Sequence, residues 1–126
     1  MLFRSRPFVS QELLDELFSL VHREKAVIPA AKLKHTIKHV DGDYAVQTIP
    51  RQQLIQVFTP QVFSYELLLN AYLEAYAAGF TGTDDASLLE RLGIKVRYLL
   101  SSEFNLKVTD EADLFFASQL INKNMI

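Results

Sequence analysis

The sequence contains no cysteine and no tryptophan, and only four glycines and four prolines among its 126 residues. The absence of cysteine excludes a disulfide framework, a cysteine-ligated zinc or iron–sulfur site and a thiol nucleophile. So few glycines and prolines exclude a collagen-like or low-complexity chain. Apolar residues supply 49% of the sequence and charged residues 22%, which is enough apolar surface to offset the chain entropy lost on folding. We therefore expect a single globular domain over residues 1–126.

The chain also lacks a strong excess of one charge, since thirteen lysines and arginines stand against fifteen acids for a net charge of −2 at pH 7. This balance disfavours a protein that binds nucleic acid through bulk positive charge. Arg4 and Arg6 near the start resemble the basic region of a signal peptide, but acids from Glu12 onward interrupt the apolar segment that a signal requires. The longest apolar stretch, residues 62–80, carries two glutamates, which are costly in a bilayer. We expect a cytoplasmic protein without membrane contact.

Capping residues and apolar periodicity predict helices along most of the chain. Ser10 is placed as the N-cap of a first helix, residues 61–79 have the pattern of a long one, and shorter helices are predicted over 86–92 and from Thr109. The fold class we expect is mainly α, a compact bundle of about five helices. On the long helix, the side chains expected in the core are Leu68, Leu69, Tyr72 and Tyr76.

Residues 29–50 fit either a helix or a β-hairpin. The hairpin is favoured, because Asp41–Gly42 is typical of a type I′ turn, in which Gly42 would have positive φ. If residues 32–49 form this hairpin, the fold class becomes α+β. The expected register pairs Ile37 with Val46 and His39 with Tyr44.

All three histidines and five lysines or arginines lie within residues 22–39, where Glu24 is the only acid. His35 and His39 are four residues apart, a spacing that suits one metal ion on a helix but places them about 13 Å apart on a strand. The hairpin therefore argues against a metal, and we expect no metal and no cofactor. The same region predicts an anion or nucleic-acid patch. Its candidates, with two cations from later in the chain, are Arg23, Lys25, Lys32, Lys34, Lys38, Lys95 and Arg97.

Residues 84–104 have the pattern of a degenerate helix-turn-helix. A short helix ends at Gly93, and Lys95 would begin a second helix that reads DNA. Residues 94–104 fit a strand as well as a helix, since Ile94, Val96 and Tyr98 alternate. Leu89 stands where this motif usually has a small residue, and nearby acids would repel phosphates. A nucleic-acid-binding regulator that uses this segment or the basic cluster at 22–39 is our alternative hypothesis for function.

The second half of the chain is acidic: residues 61–126 carry nine acids against five cations, whereas residues 1–60 carry six acids against eight. This asymmetry predicts a surface that docks on a partner protein, although helix capping explains the positions of most of these acids equally well. The candidate partner-binding residues are Asp84, Asp85, Glu90, Asp110, Glu111, Asp113 and Phe116.

No catalytic constellation is visible: the sequence has no nucleophile elbow, no glycine-rich phosphate loop and no dinucleotide fingerprint. We therefore predict no catalytic residues and no enzyme. The hypothesis that remains is a small cytoplasmic protein-binding module, such as an inhibitor or immunity-like protein, an adaptor or a small chaperone, acting by protein–protein contact.

Overall fold

The computed structural model describes residues 5–126, so Arg4 lies outside the described part of the chain. Between residues 5 and 126 the chain forms four α-helices and six β-strands. In order they are α1 (Gln11–Glu24), β1 (Ala26–Lys32), β2 (Ile37–Asp41), β3 (Tyr44–Ile49), β4 (Ile55–Val57), β5 (Val62–Phe63), α2 (Tyr65–Ala77), α3 (Asp85–Arg91), β6 (Arg97–Leu100) and α4 (Glu111–Asn122).

Strand β1 is the centre of a mixed sheet. On one side it pairs antiparallel with β4 and then with β5, and on the other it pairs parallel with β6. Val27, for example, has Val62 as its neighbour on one side and Arg97 on the other. Because β1 and β6 are parallel, the helices between them form the crossover connection that a parallel pair requires.

The sequence of β1 explains its central position. All six residues from Ala26 to Ala31 are buried, as expected for a strand that is covered on both faces and therefore has an almost continuous apolar sequence. Pro29 lacks a backbone N–H, but its carbonyl accepts a hydrogen bond from the backbone N–H of Phe58 at 2.8 Å. A continuous apolar run does not distinguish a buried strand from a helix, which is why this strand was not predicted.

Helices cover both faces of the sheet. Val27 packs with Leu13 and Leu17 of α1, whereas the neighbouring Ala26 packs with Ala71 of α2 and Leu89 of α3. Since successive side chains of a strand point to opposite faces, α1 lies on one face and α2 with α3 on the other. The prediction of a mainly α bundle of about five helices is therefore wrong: the described chain is a three-layer α/β structure.

The segment after β1 forms a hairpin, but not the predicted one. Strands β2 and β3 pair antiparallel around a turn at Gly42–Asp43, one residue later than expected, and a bulge lies between His39 and Val40. Gly42 has the expected positive φ, +54°. The predicted register is wrong, because Ile37 lies opposite Ile49 and His39 opposite Gln47. Apart from its two ends the hairpin is exposed, so no buried face fixed its register.

Helix α2 packs through small side chains rather than large ones. Its buried residues are Ala71 and Ala75, against which Leu88 and Leu89 of α3 lie. The expectation that its large side chains fill the core is wrong at three of four positions: Leu69 is 43% exposed, and Tyr72 and Tyr76 are 49% and 89% exposed.

Candidate functional site

A polar cleft of the described chain lies where β1 and β6 end. In α/β sheets, ligands bind beyond the carboxyl ends of parallel strands, and this cleft has a volume of about 430 Å³. Its walls are residues 31–35, which complete and follow β1, residues 103 and 105–107, which follow β6, and part of β4. A second cavity of about 480 Å³ shares Arg6 and Lys107 with it. We call the two together the basic cleft.

Three contacts orient the guanidinium group of Arg6. Its Nε donates to Thr59 Oγ1 at 2.7 Å, its Nη1 donates to the backbone carbonyl of Asn105, and its plane lies over the Phe58 ring, 5.0 Å from the ring centroid. Partial burial lowers the pKa of Arg6 from its ordinary value, but an arginine stays charged at neutral pH. Since a guanidinium has five N–H donors, these contacts leave others for a ligand in the cleft.

Asn105 joins the segments around this arginine. It is 2% exposed, and its side-chain Nδ2 donates to the backbone carbonyl of Thr59 at 2.9 Å. Its own carbonyl is the oxygen that receives the Arg6 hydrogen bond. The Asn105 Oδ1 atom is buried and has no hydrogen-bond partner within the described chain. A buried polar atom of this kind is expected to be satisfied by a bound group or water, which makes this point of the cleft a candidate for ligand contact.

The charge of the cleft is predominantly positive. Besides Arg6 and Lys107 it is lined by Lys32, Lys34 and His35. Glu103 is the one acid among the residues that line this cavity, and it forms an ion pair with Lys34. The cavity lining therefore contains no acid to neutralise its other cations. Clustered cations with one oriented arginine are the arrangement that binds phosphate groups, since arginine offers two parallel donors to phosphate oxygens. Among residues 5–126, no cluster of histidines and acids fits a metal ion.

The seven residues of the predicted anion patch lie on several different elements. Of its seven residues the cleft contains Lys32 and Lys34. Arg23 pairs with Glu24 at the end of α1, and Lys38 donates to Thr48 Oγ1 on the hairpin at 2.7 Å. The remaining members are Lys25, which is the C-cap of α1, Lys95 in the loop before β6, and Arg97 on β6.

Three of the seven residues of the predicted acidic surface are capping groups. Asp84 accepts a hydrogen bond from the backbone N–H of Ser87 at 2.9 Å and caps α3, and Asp85 accepts one from the Tyr72 hydroxyl. Asp110 and Asp113 form the capping box of α4. The other three candidates are Glu90 on α3, Glu111 in the first turn of α4, and Phe116, which is 50% exposed.

The helix-turn-helix interpretation of residues 84–104 is wrong. The first helix is present as α3, but the segment predicted as the DNA-reading helix contains β6, which is paired with β1 over Arg97–Leu100. Its side chains therefore alternate across a sheet and do not form a helical recognition face.

Sequence reasoning did not identify Arg6, Thr59, Asn105 or Lys107 as site residues. They come from three distant segments, and Arg6 and Asn105 alone are 99 residues apart. The pairing of β6 with β1 and a short antiparallel bridge between Ser5 and Val108 bring these segments together. No local spacing marks such a set. The one local signal is the carboxyl end of a buried strand, where ligands bind in α/β sheets. This signal is not readable from the sequence, because the apolar run of β1 does not identify it as a strand.

The fold and the cleft together define an α/β protein with a basic cleft beyond the carboxyl ends of its parallel strands, the place where ligands bind in open α/β sheets. The family model described as IspD, 2-C-methyl-D-erythritol 4-phosphate cytidylyltransferase, matches residues 4–123. The chain belongs to this family.

Similar proteins agree with the match. A 2-C-methyl-D-erythritol 4-phosphate cytidylyltransferase of Geobacillus thermodenitrificans is 46% identical over 117 residues, which are 93% of this chain and 51% of that protein. A solved 4-diphosphocytidyl-2C-methyl-D-erythritol synthase from Anaerococcus prevotii superimposes with a TM-score of 0.84 at 34% identity, over 93% of this chain and 55% of that one. The crystal structure of the 2-C-methyl-D-erythritol 4-phosphate cytidylyltransferase from Thermus thermophilus superimposes with a TM-score of 0.82 at 31% identity. The match covers 91% of this chain and 57% of that one. The chain thus spans about half the length of the curated relatives it matches.

These findings overturn the functional hypotheses drawn from the sequence. The family is one of enzymes, nucleotidyltransferases, so the predictions of no enzyme, of a protein-binding module with another protein as partner, and of a nucleic-acid-binding regulator are wrong. The physical reason is that the cleft is assembled from distant segments and carries no local catalytic motif. Among residues 5–126, no helix is long and apolar enough to cross a membrane.

Proposed function

We propose that this chain forms part of the substrate site for transfer of a cytidylyl group from CTP to 2-C-methyl-D-erythritol 4-phosphate, and that the basic cleft binds phosphate groups of these substrates. The observation that carries the proposal is the position of Arg6 and Lys107, two cations that line both cavities of the cleft. The family membership supplies the reaction. A cytoplasmic location is part of the proposal, since charged phosphate esters do not cross a bilayer unaided.

The chemistry explains why cations are needed. A phosphate oxygen of the sugar substrate attacks the α-phosphorus of CTP, a new phosphorus–oxygen bond forms, and pyrophosphate leaves with the electrons of the broken bond. Both reactants are anions, so their approach is repulsive unless positive groups neutralise the oxygens. Positioned donors stabilise the charge that develops on the transferred group more effectively than water does.

Arg6 suits this role because its guanidinium is held before a ligand arrives. Its contacts to Thr59 and to the Asn105 carbonyl restrict the side chain, so less conformational entropy is lost when a phosphate binds. Lys107 is exposed and reaches the same cavities from the segment after β6. Both cations would therefore be within reach of a phosphate bound in the cleft.

Calorimetric titration of the chain with 2-C-methyl-D-erythritol 4-phosphate and with CTP tests this proposal. We expect Arg6→Ala and Lys107→Ala each to weaken binding of at least one substrate by about tenfold or more, the range for a lost charge-assisted hydrogen bond. The matched controls are Arg91→Ala and Lys123→Ala, which remove cations outside the cleft and should leave binding unchanged. Equal affinity in all four variants, or no binding by the unsubstituted chain, would contradict the proposal.

A further inference from the structure

A cavity outside the basic cleft lies between the first turns of α1 and the segment that follows β6. It has a volume of about 540 Å³, which is in the range of sites that hold small organic molecules. We call it the α1 pocket. Most of its wall is apolar and comes from both segments, including Phe8, Val9, Leu13, Leu100 and Phe104. Such a wall suits a ligand with a hydrocarbon body.

Two buried polar atoms without partners belong to residues that line this pocket. The Oγ of Ser101 and the Oδ1 of Asn105 have no hydrogen-bond partner within the described chain, and both residues line the α1 pocket. Asn105 is 2% exposed. Buried polar atoms are normally satisfied by water or a bound group, because leaving them unpaired is costly. An amide oxygen accepts hydrogen bonds and cannot donate them, so the group that satisfies Asn105 must carry a donor.

The charged side chains of the pocket are both acids. Glu12 and Glu16 line it, are exposed, and are neighbours on the surface of α1 because they are four residues apart. Within the described chain neither forms an ion pair. Of the residues between 5 and 126 that line the pocket, none is lysine, arginine or histidine. The N-terminal end of α1, which would attract an anion, is capped by the side chain of Ser10. The pocket is therefore complementary to a cation.

We propose that the α1 pocket binds a small amphipathic amine. The hydrocarbon part of this ligand packs on the apolar wall, and its ammonium group is attracted by Glu12 and Glu16. An ammonium group has three N–H donors, enough for both Ser101 Oγ and Asn105 Oδ1. A neutral alcohol offers one donor and no charge, and a carboxylate offers no donor and is repelled by the glutamates. The proposal does not rest on the proposed function, because the basic cleft attracts anions and this pocket attracts a cation.

The test compares three probes of similar size and different charge. 2-Phenylethylamine, 2-phenylethanol and phenylacetate share a phenyl ring, and each is titrated into the chain while amide NMR spectra are recorded at constant ionic strength. We expect the amine to cause saturable shift changes at residues 9–16 and 100–105 and to bind about tenfold or more tightly than the alcohol. Phenylacetate should cause none there. The proposal is overturned if the amine causes no saturable change at these residues, or if the alcohol or phenylacetate binds equally well.

The two glutamates are tested by a double variant. Glu12→Gln combined with Glu16→Gln removes both charges and keeps side chains that favour helix, so the preference for amine over alcohol should fall by about tenfold while affinity for the alcohol stays unchanged. Glu66→Gln combined with Glu90→Gln makes the same change on α2 and α3 and is the matched control. An undiminished preference in the first variant, or an equal fall in the control, overturns the proposal. If the first variant does not fold, the ranking of the probes on the unsubstituted chain decides.

Ser101→Ala separates ligand binding from a structural role. The Ser101 hydroxyl has no partner within the described chain, so its removal should leave the free energy of unfolding unchanged in urea denaturation and weaken binding of 2-phenylethylamine by about tenfold. Lowered stability with unchanged amine binding would assign the hydroxyl to the fold and overturn its role in the pocket.

Discussion

Single residues determine how the basic cleft is held together. Arg6, Thr59 and Asn105 are joined by side-chain and backbone hydrogen bonds, so three distant segments share one small polar cluster. Removing one partner from such a cluster leaves a buried donor or acceptor unpaired, which costs more than the bond itself contributed. The cleft therefore depends on Asn105 even though that side chain carries no charge.

Asp113 is a second residue whose environment has a measurable consequence. The Thr109 hydroxyl donates to Asp113 Oδ2 at 2.6 Å, and the backbone N–H groups of Thr109 and Asp110 donate to the same oxygen. These hydrogen bonds, with that of the Thr109 side chain largest, lower the pKa of Asp113 below its ordinary value. A carboxylate with a lowered folded-state pKa stabilises the fold above its unfolded-state pKa, and the stabilisation disappears as pH falls through the folded-state value.

We therefore expect Asp113→Asn to lower the free energy of unfolding at pH 7. The difference from the unsubstituted chain should shrink as pH falls below about 4, the ordinary range of an aspartate. Urea denaturation at a series of pH values measures both quantities. Glu111→Gln, in the same first turn of α4 but outside the capping box, is the control and should change little. A difference for Asp113→Asn that stays constant from neutral to acid pH would show that the lowered pKa has no part in stability.

Helices α1 and α2 differ in how much a leucine side chain contributes to stability, because the two leucines compared are buried to different extents. Leu17 of α1 is fully buried, whereas Leu69 of α2 is 43% exposed. Leu17→Ala should cost about 2–5 kcal/mol of unfolding free energy, as for other buried leucines. Leu69→Ala should cost about 1 kcal/mol or less, since it leaves little cavity. Urea denaturation of both variants measures these free energies. A larger loss of unfolding free energy for Leu69→Ala than for Leu17→Ala would contradict the packing of α2 described above.

Helices with local signals were the predictable elements. Ser10 caps α1 as expected, accepting from the backbone N–H of Leu13 at 3.2 Å, and Asp84 caps α3. For α4 the expected cap was one residue early, because Asp110 and not Thr109 is the N-cap. These signals lie within four residues of each other, and their energetics are local, so one sequence suffices to see them.

Strands whose partners are far away were not predictable in the same way. Strand β1 is apolar on both faces, so it has no alternating pattern, and its partner β6 lies about 70 residues later. The basic cleft depends on that pairing and on the segment containing Arg6, so its residues have no common local pattern. The charge of Lys32 and Lys34 predicts an anion patch, but nothing in their spacing indicates Asn105 or Lys107 as neighbours.

At the scale of the whole molecule, the chain is about half of the family fold by length. The described half has its own core on both faces of the sheet and leaves α4 exposed. That a single domain extends over residues 1–126 stays a prediction. The residues that line the basic cleft lie in this chain, so the proposed phosphate binding can be tested on it.

The central claim is that phosphate groups of the substrates bind in the basic cleft, and the most direct measurement is an amide NMR titration with 2-C-methyl-D-erythritol 4-phosphate. We expect saturable chemical-shift changes at the backbone amides around Arg6, Thr59, Asn105 and Lys107, weakening as salt is raised because the contacts are ionic. The amides of the hairpin turn at Gly42 should not move. Saturable changes confined to another surface, or none at millimolar substrate, would contradict the account.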